Sequence, residues 1–126
     1  MITHVQPILY SVDFGNCDAL NAFDAEGLAR AFAAALRDAG ATIVHEVHHA
    51  YPGRGLTCVL VLTESHAILH TWPETGTVNI DIFSCSARLK SRAAIDELGR
   101  VFGARHIAIQ EILRADGHRA DLAPRR

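Results

Sequence analysis

The order of the predicted secondary-structure elements constrains the fold of this chain more than any other feature. Apolar periodicity indicates six strands and two amphipathic helices. The strands are predicted at residues 8–14, 42–49, 56–63, 66–70, 77–85 and 106–113, and the helices at 25–39 and 91–102. Consecutive strands joined by short turns favour antiparallel pairing, because parallel neighbours need a crossover of about a dozen residues or more. The order β, α, β, β, β, β, α, β therefore predicts an α+β two-layer sandwich, with a mainly antiparallel sheet and two helices packed on one face.

Local signals agree with this architecture. Asp24 is of a type favoured at helix N-caps, and Gly40 of a type favoured just after a helix ends, so the two bracket the first helix. In the segment "TVNIDIF" the valine and both isoleucines fall on one face of a strand, and the remaining residues fall on the other. One face of the sheet is thus expected to pack on the helices. The other face is expected to be covered by a second subunit.

The composition is that of a globular domain, with 49% hydrophobic and 21% charged residues. The net charge of −2 gives no basic surface for nucleic acid or anionic lipid. No apolar run approaches the roughly 18 residues of a membrane helix, and no signal peptide is recognised, so a cytoplasmic location is predicted. We expect residues 1–126 to form one domain, with a flexible tail at 114–126.

Cysteine and histidine raise the question of a metal site. Three cysteines without C-x-x-C spacing indicate neither a disulfide framework nor a zinc knuckle. Five of the eight histidines lie close together in the sequence: His45, His48, His49, His66 and His70. Alternation places His45 with His49, and His66 with His70, on common strand faces, where Cys85 could join them as a thiolate. A non-catalytic, His-rich metal or ligand-binding module is therefore one alternative, although the spacings match no familiar metal signature.

Ser65 stands between a glutamate and a histidine, an arrangement that invites comparison with serine hydrolases. A nucleophile elbow requires glycine on both sides of the serine at a strand-to-helix turn, and this segment has neither. Taken alone, Ser65 is best interpreted as a surface residue at the end of a strand. Its neighbours in the sequence change that interpretation.

The segments "ESHAILHTWPE" and "DIFSC" together resemble a known family. They match Glu-Ser-His-x-x-x-His-Thr-(Trp/Tyr)-Pro-Glu followed by Asp-x-Phe-(Thr/Ser)-Cys, a pattern of the small prokaryotic S-adenosylmethionine decarboxylases. Those proteins are proenzymes that cut themselves and use a pyruvoyl group. The resemblance extends more loosely over residues 8–113. Its central motif is long and specific.

The resemblance implies a self-processing reaction at the bond between Glu64 and Ser65. The Ser65 hydroxyl would attack the Glu64 carbonyl and convert the amide into an ester. Thr57 matches a serine that assists processing, and His70 matches the histidine that removes the Cα proton of residue 65. Residue 65 would then become a pyruvoyl group. Ser65 and His70 are five residues apart, however, so on a regular strand their side chains face opposite ways. Either a bend at the cleavage point or release of the new end after cutting is needed to bring His70 round.

The same resemblance implies roles for four other side chains. The pyruvoyl carbonyl would form a Schiff base with the substrate amine, and Cys85 would return a proton after loss of carbon dioxide. Tyr51 and Trp72 match positions that stack adenine, and Glu74 matches a carboxylate that binds ribose. Neither a bound metal nor pyridoxal phosphate is expected. The family implies a homodimer, with Tyr51 and Trp72 reaching the neighbouring subunit's site, and a role in spermidine and polyamine biosynthesis.

Three departures from the family pattern bear on the substrate. The segment Pro7-Ile8-Leu9 replaces the usual Gly-(Lys/Arg)-His, Tyr51 replaces phenylalanine, and Cys58 replaces glycine. Relatives with the same pyruvoyl chemistry act on arginine or ornithine. The sequence therefore leaves a basic amino acid open as an alternative to S-adenosylmethionine. The predicted cleavage would divide the chain into residues 1–64 and 65–126 in either case.

Overall fold

The computed structural model describes residues 6–115. Within them a single sheet contains six strands: β1 (Ile8–Cys17), β2 (Ile43–Ala50), β3 (Leu56–Leu62), β4 (His66–Trp72), β5 (Thr77–Ser84) and β6 (Ala104–Leu113). The helices are α1 (Ala25–Asp38) and α2 (Ser91–Phe102), and a short 3-10 turn covers Leu20–Ala22. The strand order is β2-β3-β4-β5-β1-β6, and every neighbouring pair is antiparallel. The α+β sandwich predicted from the sequence is confirmed.

Both helices begin and end close to where the sequence predicts. The Asp24 side chain accepts a hydrogen bond from the Gly27 backbone N–H and caps α1. Gly40 follows the helix with φ +106°, and a side chain there would collide with the backbone carbonyl of Arg88. Gly103 ends α2 in the left-handed conformation. The approach of Gly40 to Arg88 links the end of α1 to the segment between β5 and α2.

The core lies between the helices and one face of the sheet. Alternate residues of the central strands point into it, and Val78, Ile80 and Ile82 of β5 are completely buried. Leu28, Phe32 and Leu36 of α1 meet them from the helical layer, and Ile95, Leu98 and Phe102 do so from α2. The apolar periodicity of the sequence therefore gives both the elements and the side of the sheet on which the helices pack.

Three strand boundaries differ from the prediction by two residues or more, namely the ends of β1 and β4 and the start of β6. Strand β4 continues to Trp72 rather than to residue 70. Gly-Asn is a turn signal, and the sequence predicts that the first strand ends before Gly15-Asn16. Strand β1 instead continues to Cys17, because Gly15 pairs with His106 and Cys17 with Ala104. Asn16 adopts φ +51°, a conformation that asparagine tolerates better than most residues. The same pairing starts β6 two residues earlier than predicted. Cross-strand hydrogen bonds override the local turn signal here.

The sheet interleaves the two halves of the chain. Strands β1 to β3 precede residue 65, and β4 to β6 follow it. Strand β3 pairs with β4, and β1 lies between β5 and β6. A break at residue 65 would thus leave two pieces held together by three strand pairs and a shared core.

The sheet face opposite the helices is not covered by any element of residues 6–115. It carries apolar side chains that are largely accessible, among them Val47 (54% exposed), Val61 (42%) and Trp72 (48%). Such a patch is typical of an interaction surface. We call it the open face.

The ends of the described chain lie side by side. The Arg114 backbone N–H donates to the carbonyl oxygen of Pro7 at 2.9 Å, so residue 114 is held beside β1. The rest of the predicted flexible tail, residues 116–126, lies outside the described residues. None of the helices described is both long and apolar enough to span a membrane.

Candidate active site

Ser65 lies in the turn between β3 and β4, with Glu64 before it. The turn is closed by a hydrogen bond of 2.9 Å from the Leu62 N–H to the Ser65 carbonyl oxygen. Cys85, directly after β5, donates its backbone N–H to Ser65 Oγ at 3.3 Å. Its thiol Sγ donates to the Glu64 carbonyl oxygen. The bond predicted to break, the predicted nucleophile and the predicted proton donor therefore meet at one point.

A cleft of about 480 Å³ opens at this turn, and we call it the cleavage cleft. Its walls are the residues after α1, the turn at 63–65 and the segment 85–89 that leads to α2. A volume of this order matches the size of small-molecule sites. The approach of Gly40 to Arg88 holds two of the walls together.

The three thiols differ in their chemical capacity. Burial raises the pKa of Cys17 to about 11, with a smaller contribution from Asp18. Burial likewise raises the pKa of Cys58 to about 11, assisted by the charge of Glu46. Both thiols stay protonated and enclosed at neutral pH. Cys85 is partly exposed in the cleavage cleft, so it alone of the three can reach a ligand there.

A second group of predicted site residues lies towards the opposite end of the sheet. Pairing of β3 with β4 places Thr57 beside His70, and Thr57 Oγ1 lies 2.8 Å from His70 Nδ1. The Tyr51 hydroxyl lies 3.1 Å from the same Thr57 oxygen. These three side chains, with Trp72 and Glu74, line a pocket of about 320 Å³ that we call the aromatic pocket.

The structure thus collects the predicted residues into two groups. Strand β4 separates them, because five residues of extended chain from Ser65 to His70 span about 17 Å. The side chain of His70 lies on the open face, in contact with Thr57 rather than with Ser65. Within one chain, therefore, the predicted processing base does not reach the predicted cleavage point. The odd spacing noted in the sequence was a signal of this separation.

The histidines of the open face do not form a metal centre in the structure. His49 packs edge to face on Tyr51, with ring centroids 4.7 Å apart. His66 stacks on Phe83 at 5.4 Å. In the described part of the chain, no three His, Cys, Asp or Glu side chains are grouped so that they could hold an ion. The geometry of residues 6–115 gives no support to the metal-binding alternative.

Sequence reasoning missed the residue that anchors the aromatic pocket's turn. Arg54, between β2 and β3, has φ +75°, which is unfavourable for a residue other than glycine. Its guanidinium Nη2 donates to the carbonyl oxygens of Asn21 and Phe23, each at 2.8 Å. These bonds tie the turn that carries Tyr51 to the segment before α1. A strained residue held by specific contacts is a frequent feature of functional sites.

We expect Arg54→Ala to reduce the free energy of unfolding by about 1–2 kcal/mol, because the hydrogen bonds are lost while the left-handed backbone remains. Arg54→Gly loses the same bonds but adopts φ > 0 freely, so its cost is expected to be about 1 kcal/mol smaller. Urea unfolding at fixed protein concentration measures both values. Equal destabilisation by the two variants would contradict the role given to backbone strain.

A second feature missed from sequence is the polar contact of Trp72. Its indole Nε1 donates to Asn79 Oδ1 at 2.7 Å, and Asn79 Nδ2 donates to Asp13 Oδ1 at 2.7 Å. The alternation in residues 77–85 placed Asn79 on the open face. No pattern in the sequence indicates that β1 supplies Asp13 opposite to it.

Comparison with known proteins identifies the family of the chain. The sequence profile of one family, described as S-adenosylmethionine decarboxylase, matches residues 9–115. The chain belongs to this family. An S-adenosylmethionine decarboxylase proenzyme of Acidithiobacillus ferrooxidans is 32% identical over 102 residues, which are 81% of this chain and 77% of the relative. One from Pelotomaculum thermopropionicum is 33% identical over 111 residues, 88% of this chain and 84% of the relative.

A solved structure supports the fold of this S-adenosylmethionine decarboxylase family member. The crystal structure of the adenosylmethionine decarboxylase from Aquifex aeolicus superimposes with a TM-score of 0.79 and 22% sequence identity. The match covers 98% of this chain and all of the other. At this identity the likeness bears on the fold alone.

Proposed function

We propose that this chain is a self-cleaving decarboxylase of S-adenosylmethionine whose pyruvoyl group is made from Ser65. The observation that carries the proposal is the meeting of Ser65, the Glu64 carbonyl and Cys85 in one cleft. A serine hydroxyl beside the preceding carbonyl suits an attack on the backbone. A thiol that donates to that carbonyl polarises it. The residues present therefore fit the group that the family implies.

The chain's own side chains account for the processing steps. Ser65 Oγ attacks the Glu64 carbonyl carbon, and the bond to the Ser65 nitrogen breaks, so the amide becomes an ester and the nitrogen an amine. His70 then takes the Cα proton of residue 65, and the Glu64 carboxylate leaves. Hydrolysis of the resulting dehydroalanine releases ammonia and leaves the ketone. Thr57, 2.8 Å from His70 Nδ1, fixes the orientation of the imidazole ring.

Once formed, the pyruvoyl carbonyl supplies an electron sink for loss of carbon dioxide from an amino acid. Cys85 lies in the same cleft and is partly exposed, so its thiol is placed to return a proton. The thiols of Cys17 and Cys58 are enclosed and cannot substitute for it. This difference supports Cys85 as the proton donor.

The aromatic pocket favours an adenosyl substrate over arginine or ornithine. Tyr51 and Trp72 are about half exposed there, so each offers a ring face for stacking a purine. The same faces attract a sulfonium cation. Glu74 lines the pocket and can accept hydrogen bonds from ribose hydroxyls. The product would be the aminopropyl donor for spermidine and other polyamines, and we place this activity in the cytoplasm.

We further propose that the working unit is a homodimer that pairs through the open face. The exposed apolar patch on that face is suited to a symmetric interface. A two-fold axis can bring the aromatic pocket of one subunit to the cleavage cleft of its partner. Such pairing resolves the separation of about 17 Å within one chain, because His70 and Trp72 would then act across the interface.

Purified protein is expected to show two masses under denaturing conditions, those of residues 1–64 and of residues 65–126 with a keto group at its N-terminus. Release of carbon dioxide is expected from S-adenosylmethionine and not from arginine or ornithine. The two measurements separate the parts of the proposal. Cleavage with release from arginine alone would retain the pyruvoyl chemistry and overturn the substrate. An intact chain after prolonged incubation would overturn the enzyme.

A further inference from the structure

A chain of hydrogen bonds crosses three adjacent strands of the open face and ends at the indole of Trp72. Trp72 on β4 donates its Nε1–H to Asn79 on β5, and Asn79 donates its amide N–H to Asp13 on β1. Both bonds are 2.7 Å long. None of these contacts belongs to the cleavage chemistry described above.

The order of donors and acceptors fixes the orientation of the Asn79 amide. An ionised carboxylate only accepts hydrogen bonds, so Asp13 binds the NH₂ side of the amide. The amide oxygen is thereby turned towards Trp72, whose indole N–H only donates. Asn79 lies directly opposite Asp13 in the pairing of β1 with β5, so the backbone register holds the pair together. The bond to the charged partner is the stronger type of hydrogen bond.

This arrangement restrains an indole that is about half exposed. Trp72 is the last residue of β4 and is 48% exposed. A side chain in this position ordinarily samples several orientations, and ordering it on binding would weaken the affinity for a ligand. With its N–H fixed by Asn79, the ring is oriented before the ligand arrives.

We propose that Asn79 and Asp13 are positioning residues that preset the Trp72 indole for stacking of an adenine base. The inference rests on the proposed function for the identity of the ligand. It adds two residues that lie outside the sequence motif to the determinants of substrate binding. Asn79 acts through Trp72, and Asp13 acts through Asn79.

Trp72 is the sole tryptophan of the chain, so its fluorescence reports on the indole directly. Asn79→Leu keeps the branched shape of the side chain and removes its hydrogen bonds. We expect this variant to lower the fluorescence anisotropy of Trp72 and to raise the KM for S-adenosylmethionine about fivefold to tenfold, with kcat changed less than about twofold. Asp96→Leu likewise replaces a branched polar side chain by leucine, but on the exposed side of α2 and away from the open face, so it should alter neither quantity.

Exchange of the two polar residues tests the mechanism more strictly. Asn79→Asp alone places two carboxylates side by side and should impair both anisotropy and KM. The double variant Asp13→Asn with Asn79→Asp restores one donor and one acceptor with the same net charge, so both quantities should return to within about twofold of wild type. This recovery is not expected if Asn79 merely fills space.

The fluorescence measurement needs no substrate, which separates the two proposals. Unchanged anisotropy in Asn79→Leu, or an exchanged variant no better than Asn79→Asp, would overturn the positioning role. An unchanged KM in an active Asn79→Leu enzyme would overturn it equally. Failure of the wild-type protein to decarboxylate S-adenosylmethionine would count against the proposed function, and the anisotropy values would still decide the positioning role.

Discussion

Ser65→Ala is expected to abolish cleavage of the backbone, so that the purified protein retains the mass of all 126 residues. Alanine cannot attack the Glu64 carbonyl, and no other described hydroxyl is hydrogen-bonded to the Cys85 N–H at this turn. Decarboxylation should be lost with cleavage, since residue 65 can no longer become a ketone. Denaturing mass spectrometry, repeated over days of incubation, measures the first effect, and release of carbon dioxide measures the second.

Ser86→Ala is the matched control, because Ser86 is the other serine that lines the cleavage cleft. It should leave both fragments at wild-type yield. Cleavage of the Ser65→Ala chain at residue 64 would show that another nucleophile acts there. Cleavage of the wild-type chain at any other bond would overturn the assignment of Ser65.

The fold was predictable because local signals and long-range pairing agree over most of the chain. The capping residue Asp24 and the glycine at 40 bracket α1, and the apolar stripe of α2 ends at Gly103, as expected. The error at Gly15-Asn16 arose because β6 supplies partners for those residues, which no local window contains. Antiparallel pairing with β6 therefore extends β1 past the turn signal at Gly15-Asn16.

The candidate site was predictable as a set of residues and not as an arrangement. The motif around Ser65 is contiguous in sequence, but a strand extends it across the sheet and places its two ends in different pockets. The contact between Thr57 and His70 depends on the register of β3 against β4. Asn79 and Asp13 meet because β1 inserts beside β5. Those pairings are long-range properties, so a single sequence does not reveal them.

Each pocket draws residues from both sides of the cleavage point, so the fragments would have to stay associated after cleavage. Residue 65 would become the start of the second piece, while Thr57 belongs to the first. The insertion of β1 between β5 and β6 keeps both pieces in one sheet. Loss of either piece would remove residues from both the cleavage cleft and the aromatic pocket.

Mixed dimers of two variants that do not mature alone test whether His70 of one subunit acts on Ser65 of its partner. The expected change is from no cleavage to substantial cleavage. Neither Ser65→Ala nor His70→Ala should mature when expressed alone. In a mixed dimer, Ser65 of the His70→Ala chain meets the native His70 of its partner. With random pairing of equal amounts, about half of the His70→Ala chains should therefore be cleaved.

About half of the dimers should be mixed, and each mixed dimer has one complete site of two. Activity should therefore reach about a quarter of that of the wild type. Mass spectrometry identifies which chain has been cut, and native mass spectrometry confirms that mixed dimers are present. Pairing His70→Ala with the double variant Ser65→Ala/His70→Ala supplies the control, because no native His70 remains and no chain should be cut. If mixed dimers form and every His70→Ala chain stays intact, His70 does not act on the neighbouring subunit. The open face would then have to serve another purpose, and a rearrangement of the turn before β4 would be required to bring His70 to Ser65 within one chain.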